Sequence, residues 1–432
     1  MFSAFAGVNM PSFQFIHTGD IHLDSPLKGL SGQEGLAAER IRTATRTAFE
    51  DLVTYAIDGQ VAFMVIAGDL YDGDWRDFQT GLFFVRQMGR LRAANVPAFV
   101  LHGNHDAESQ ITKRLTLPDN VHVFRYRKPQ TFKLDDRRVA LHGQSFRMQA
   151  TTDNLAEAYP PPVKGYFNIG VLHTALGGTN GPHENYAPCT LDELVNKGYD
   201  YWALAHVHQG GLLHENPHVV FCGNLQGRHI REAGPQSAQL ITVQDGALHG
   251  IEPLYTDVAR WMHVDVPVGG CARFGDVIDQ IKCSINEATK TAQGRLLACR
   301  IQLSGATDLH GELLASAPQL LAEARAAALG LGEEVAWIER VVNATASATT
   351  ASIQPDPGVI NDLNVLLAQA ADDPDLRAEI ANDLGDLIRK LPHDAALDIE
   401  DRLLEAAISK DFGAVIEQAA AYLSARLTAE RR

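Results

Sequence analysis

Between residue 13 and about residue 255, short apolar runs alternate with segments of helical period, and this alternation restricts the chain to a layered α/β fold. Segments 13–17, 61–66, 96–101, 167–172, 199–204 and 218–222 read as buried strands. Ile41, Ala44, Ala48, Leu52 and Ala56 recur at helical spacing, as do Phe78, Leu82, Val85, Met88 and Leu91. Each of these helices links one strand to the next.

The side chains able to bind metal fall where the strands end. Asp20 and His22 follow the first in T-G-D-I-H, Asp69 and Asp72 follow the second in G-D-L-Y-D, and Asn104 and His105 stand in G-N-H-D after the third. His173 ends the strand N-I-G-V-L, and His206 and His208 follow Y-W-A-L-A. In open α/β sheets, sites form beyond the carboxyl ends of strands, where loops converge. A D-x-H spacing puts both side chains on one side of an extended segment, because side-chain direction alternates with period two. By the same rule Asn104 and His105, being adjacent, point apart and do not share an ion. The mix of carboxylate, imidazole and carboxamide suits borderline divalent ions such as manganese, iron or zinc, of which manganese is the first expectation. Two such ions roughly 3.5–4 Å apart activate water and clamp the attacking and leaving oxygens of an in-line displacement. A lone histidine after a strand is ordinarily structural, and Gly-Asp or Gly-Asn is ordinarily turn chemistry. The conjunction of several strand ends, all presenting ligands, outweighs those readings. His17, His102, His122 and His142 are spare and read as structural.

The ordered set D-x-H, G-D-x-x-D, G-N-H-D, H and H-x-H from Asp20 to His208 resembles the calcineurin-like metallophosphoesterase family. The resemblance implies a two-sheet α/β sandwich with two divalent ions. It would have Asp20, His22, Asp69 and His208 hold one ion. Asp69, Asn104, His173 and His206 would hold the other, with Asp69 as the bridge. His105 would be the acid or charge stabiliser, its ring oriented by Asp72. Ala205 stands where the family usually has Gly, which would shift the loop slightly and modify substrate access. Within the family the DNA-repair exonuclease branch of the SbcD type is most similar, through F-I-H-T-G-D-I-H-L-D-S-P, Y-W-A-L-A-H-V-H and the G-N-L-Q-G-R-H-I-R-E-A-G run. That branch implies DNA as substrate and a large SMC-type ATPase as partner. Arg228 and Arg231, near the last site loop, would contact DNA phosphates or else be exposed loop arginines. The 177–184 loop follows a ligand histidine and would shape the substrate entrance or merely connect.

At 432 residues the chain exceeds one hydrophobic core. The expected division is a phosphoesterase domain over 1–256, a small α/β accessory domain over 257–342, a linker over 343–358 and a helical segment over 359–432. No apolar run approaches the roughly 20 residues that cross a bilayer, so no membrane is expected. The first ten residues do not read as a secretory signal. Five widely spaced cysteines fit a reducing cytoplasm. The net charge of −16 argues against a nucleic-acid protein until its distribution is seen: residues 311–432 carry 21 Asp and Glu against 10 Lys and Arg. Three functions remain open: a metal-dependent DNA nuclease, a phosphoesterase for a small diester or phosphoprotein, and a non-catalytic scaffold subunit. The intact ligand set disfavours the last, and Asp72-Gly73-Asp74 lacks the Arg expected of a protein phosphatase. Oligomeric state is open, a dimer included.

Overall fold

The computed structural model describes residues 12–25, 35–72, 78–108, 115–177, 186–348, 366, 369–370, 373–390 and 402–429. By packing, the chain divides into two units, the first of 1–262, 291–299 and 333–337, the second of 263–290, 300–332 and 338–432.

The first unit holds two six-stranded sheets. One contains β1 (Phe13–Thr18), β2 (Phe63–Ile66), β3 (Ala98–Val100), β4 (Val121–Val123), β11 (Ser237–Gln244) and β12 (Ala247–Tyr255), in the order β12-β11-β1-β2-β3-β4. The other contains β5 (Gln130–Leu134), β6 (Val139–Gly143), β7 (Phe167–His173), β8 (Tyr201–Ala205), β9 (Gly211–Glu215) and β10 (His218–Phe221), in the order β5-β6-β7-β8-β10-β9. Each has a core of four parallel strands, β1 to β4 in one and β6, β7, β8 and β10 in the other, flanked by antiparallel strands.

Alternation along the strands builds the layers. Phe15, Phe63 and Val65 meet Ile169, Val171, Tyr201 and Ala203 in the apolar layer between the sheets. Their strand neighbours Ile16, Met64 and Ile66 turn the other way, onto the helices Ala44–Asp58 and Phe78–Ala93 through Phe49, Leu52 and Met88. Trp202 and Leu204 likewise bury on the outer face of the second sheet. The single helix read from Ile41 to Ala56 is two, Leu36–Arg42 and Ala44–Asp58, broken at Thr43.

A third sheet runs β13 (Ala259–Pro267), β14 (Leu296–Thr307), β15 (Ala336–Ser347). The division by packing runs through these strands. Trp261, Leu296, Ala298 and Trp337 bury with Ala37, Ala38, Ile41 and Ile230, and so belong with the first unit. The expected linker also begins too early: β15 continues to Ser347, and the Ala348 N–H still donates to the Thr307 carbonyl. The rest of that stretch, residues 349–358, lies outside the described residues.

In the second unit, the helix Phe274–Thr291 buries Val277, Ile281 and Ile285, one per turn. Ala406, Ala407 and Val415 form a small core with Ile380, Leu384 and Ile388, joining the helices Pro374–Lys390, Arg402–Ile408 and Phe412–Ala429. The last of these also packs on the helix His310–Ala315. Among the described residues, no helix is long and apolar enough to cross a membrane.

Candidate metal centre

The loops after β1 and β2 are zipped together by backbone bonds. Asp20 donates its N–H to the Gly68 carbonyl (2.9 Å), His22 to that of Asp69 (3.0 Å) and Leu23 to that of Leu70 (2.9 Å). Asp106 clamps the next loop from beneath: its buried carboxylate accepts the N–H groups of Leu70, Tyr71 and Gly103 at 3.0–3.2 Å.

Left-handed backbone then aims the side chains. Asp20, His22, Asp69 and His206 have φ of 46°, 45°, 50° and 102°. Non-glycine residues adopt such angles at a cost of about 1–3 kcal/mol, and they concentrate at functional sites. The premise of an extended D-x-H segment is therefore wrong: Asp20 and His22 converge because both are turned into this conformation. Glycines make the room. A Cβ on Gly103 would lie 2.3 Å from Asp69 Oδ1, and one on Gly68 2.4 Å from His173 Nδ1.

The side chains so aimed form two adjoining groups of donors. In one, Asp20, His22 and His208 come within 4.8 Å of each other, with the two imidazole Nε2 atoms 3.3 Å apart. In the other, Asp20, Asp69 and His173 do the same. His173 Nε2 is 3.3 Å from Asp69 Oδ2 and 2.9 Å from Asn104 Oδ1, and the His206 ring packs edge-on to it. Asp69 Oδ2 also lies 4.0 Å from His22 Nε2, so this carboxylate stands between the groups, while its Oδ1 accepts the His105 N–H. Asp20 accepts the His206 N–H at 2.9 Å.

His105 belongs to a third group: its donor atom and those of His22 and Asp72 lie within 4.8 Å of one another, and its ring stands edge-on to His22 with centroids 5.1 Å apart. Its Nδ1 lies 3.5 Å from Asp72 Oδ1, and its side chain is 34% exposed whereas those of His22 and His173 are buried. Asn104 and His105 open a short helix, Asn104–Glu108, not an extended stretch. They diverge because successive helical residues point about 100° apart.

Residues 13–210 match the calcineurin-like phosphoesterase family, and residues 261–346 match the family described as the middle domain of metallophosphoesterase YhaO. The chain carries a calcineurin-like metallophosphoesterase domain. It is 37% identical over 236 residues to the uncharacterized metallophosphoesterase YhaO of Bacillus subtilis, covering 54% of this chain and 58% of that one. It is 25% identical to the DNA double-strand break repair protein Mre11 of Methanopyrus kandleri, over 44% of each chain. To the SbcD component of the nuclease SbcCD of Escherichia coli K12 it is 24% identical, over 58% of this chain and 70% of that one. The match to YhaO and to this Mre11 thus spans about half the length of each relative.

The electrostatics of the metallophosphoesterase domain set the protonation of its donors. Burial works to lift the Asp69 carboxyl, yet the facing His173, His105 and His22 hold it well below the usual range. Burial, with Arg228 nearby, pushes His22 down to about 3, which leaves its imidazole neutral. Burial also acts to lower His173, but Asp69 and Asp20 outweigh it and raise this ring to about 9. An ionised carboxylate and a neutral imidazole are the forms that ligate divalent metal. On His173 a cation would take the place of the proton that the carboxylates now hold. Two buried carboxylates, four imidazoles and a carboxamide turned inward fit a pair of divalent ions.

A carboxylate to which the sequence pattern assigns no role supports the first group. Glu232 Oε1 takes His208 Nδ1 at 2.7 Å, turning His208 Nε2 towards His22. Its other oxygen accepts the Arg228 N–H and the Asn224 amide. The Arg228 side chain is only 15% exposed. It reaches Glu232 (3.2 Å) and Ser25 (3.3 Å), and lies 3.8 Å from Asp72, whose other oxygen takes the Ser25 hydroxyl. Of the two arginines expected at DNA, Arg228 is thus engaged inside the domain, while Arg231 is exposed. Glu232 lies in the G-N-L-Q-G-R-H-I-R-E-A-G run, where its position beside two arginines is the one available signal.

The Ala205 methyl faces Gly19. It is buried within β8, and a Cβ on Gly19 would lie 2.7 Å from its methyl, so the extra carbon fills the space left by Gly19. Of the spare histidines, His17 bonds the Tyr201 hydroxyl and His142 bonds Thr131 and Asn168. Most of the 177–184 loop lies outside the described residues.

Proposed function

We propose that the chain is a DNA nuclease that hydrolyses phosphodiester bonds with water at a pair of divalent ions, manganese first. The observation that supports this most is the meeting of the two donor groups at two buried carboxylates: Asp20 belongs to both, and Asp69 Oδ2 lies 3.3 Å from His173 Nε2 and 4.0 Å from His22 Nε2. Asp20, His22, Asp69 and His208 would hold one ion, and Asp69, Asn104, His173 and His206 the other. When bound, the ions would supply Lewis acidity and lower the pKa of a water held at the site. His105, half-buried beside His22 and backed by Asp72, donates a hydrogen bond to the phosphoryl oxygen that gains charge. Glu232 fixes the His208 tautomer, and Arg228 neutralises Glu232 and Asp72, its guanidinium 3.4 Å from His208 Nδ1. The likeness to proteins named as repair and SbcCD nucleases favours DNA over a small diester.

By the same likeness the partner would be a large SMC-type ATPase and the compartment the cytoplasm. The C-terminal helices are the element first expected to dock it. Since Phe412–Ala429 already packs on His310–Ala315, their exposed surface is the part that carries Leu387 and Leu423. Copurification of the ATPase with a chain lacking residues 359–432 at parental yield would exclude that role.

The test of the activity is purified protein with manganese on end-labelled single- and double-stranded DNA, beside bis(p-nitrophenyl) phosphate. Release of nucleotides from DNA is expected. Hydrolysis of the small diester with no DNA cleavage under manganese, iron or zinc would replace this reading with that of a small-diester phosphoesterase.

A further inference from the structure

Against a chain charge of −16, four cations gather beside the metal centre. β4 runs parallel to β3, and β6 parallel to β7, so the loops after β4 and β6 leave the sheets at the rim that carries Asn104 and His173. The first of these loops carries Arg125, Arg127 and Lys128, and the second carries Arg147. The two are bonded to each other. The Ser145 N–H donates to the Arg125 carbonyl (3.1 Å), and the Gln144 amide donates to the Tyr126 carbonyl (3.1 Å).

The second loop is also tied to the site. The Phe146 N–H donates to the His102 carbonyl, and the Phe146 ring stands edge-on to His173, with centroids 5.5 Å apart. Arg147 therefore begins one residue, about 3.8 Å of chain, beyond a residue that touches the centre. All four cations are exposed, and among the described residues none is in an ion pair. Between them Tyr126 is 46% exposed, with the Arg127 guanidinium 5.8 Å from its ring centroid.

Unpaired cations in a row with an exposed aromatic form the kind of surface that tracks an unpaired nucleic-acid strand: the cations take backbone phosphates and the ring stacks on a base. A folded acidic protein has no electrostatic reason to cluster them, since like charges repel. A small diester, with a single phosphate, would have no use for a surface that extends away from the centre. We propose that Arg125, Tyr126, Arg127, Lys128 and Arg147 form the track that delivers a single DNA strand to the metal centre. This rests on the nuclease reading above and adds the strand state and path of the substrate.

The experiment uses the full chain with manganese and a labelled 20-nucleotide single strand, read by fluorescence anisotropy across a salt series. Removing one phosphate-binding cation lowers the slope of log affinity against log salt by about 0.7. The R125A/R127A/K128A/R147A variant should lose at least tenfold in affinity at about 0.1 M salt, with the slope reduced by about 2 to 3. Its ratio of strand cleavage to bis(p-nitrophenyl) phosphate hydrolysis should fall by a similar factor. Tyr126→Ala should bind at least about fivefold more weakly and Tyr126→Phe like the parent, because stacking needs the ring and not the hydroxyl. Parental affinity and slope in the quadruple variant would overturn the track. A parent that hydrolyses the small diester but neither binds nor cuts the strand would overturn the nuclease reading itself. Equal loss in Tyr126→Ala and Tyr126→Phe would overturn stacking.

Discussion

The rim of the sandwich and the interior just beneath it contain the same residue type at the same depth and treat it in opposite ways. His17, on β1 below the rim, meets the Tyr201 hydroxyl at 2.9 Å, and burial lowers it to about 3. His173, at the end of β7, is just as buried, yet Asp69 and Asp20 raise it to about 9. Burial alone therefore does not mark a functional histidine. What marks it is a buried carboxylate with no cation of its own, since ionised groups are kept out of water only when something is arranged to meet them.

The largest effect should come from the carboxylate between the donor groups. Asp69→Asn removes charge from both, so metal content after purification should fall from two ions towards none. Activity should fall by more than the roughly 10- to 100-fold that follows loss of a residue that only orients a ligand. Two ions retained by this variant would refute the bridging role and dissolve the contrast between rim and interior.

Next is His105, which joins His22 and Asp72 in a third group but belongs to neither of the two that contain Asp20. His105→Ala should keep both metals and DNA affinity within a few-fold while turnover drops about 10²- to 10³-fold, the usual loss for a donor used in the transition state. His173→Ala should instead lose metal. Metal loss in the His105 variant, or near-parental cleavage, would erase the distinction between them.

Glu232→Gln keeps the shape but weakens the hold on His208, and a drop in metal affinity of about 10- to 100-fold is expected. Equilibrium titration with manganese measures it, and parental affinity would reduce Glu232 to a fold residue.

The smallest effect is on stability, and its two halves have opposite signs. In chelator-stripped protein, His173 keeps its proton to about pH 9 against an ordinary value of 6.5. Its contribution is complete below 6.5 and disappears as pH rises towards 9. His17, neutral down to about 3, contributes nothing adverse above 6.5 and costs stability as pH falls from there towards 3. Each amounts to a few kcal/mol at most. Thermal melts of metal-free His173→Gln and His17→Gln should flatten the alkaline and acidic limbs respectively. A parental pH profile in both would mean that these rings do not titrate differently.

The centre was legible in the sequence because its residues follow β1, β2, β3, β7 and β8, whose cores are continuous runs of buried side chains such as Phe63 to Ile66 and Tyr201 to Ala205. Strands β9 and β12, at sheet edges, alternate exposed and half-buried residues and gave no comparable signal. The same holds for the site. Asp20 and Asp69 announce themselves by following strands, whereas Glu232 and Arg228 sit in irregular chain whose meaning comes only from what folds against it. The local geometry was also invisible: nothing in D-I-H says that both ends adopt φ near 45°. That conformation is imposed by bonds to Gly68 and Asp69, nearly fifty residues away.

The Asp20 carboxylate is held by the N–H of His206, 186 positions later, and β1 is closed by β11, where Gln14 bonds Thr242 across 228 positions. Synthesis therefore delivers the acidic half of the centre first and its last imidazoles much later. Pairings so remote in sequence are also the slowest to form. A chain still on the ribosome has Asp20, Asp69 and Asn104 but neither His208 nor the Glu232 that aims it. On the proposed reading, hydrolytic competence would arrive only with a nearly finished domain, and truncated or stalled products would be inert.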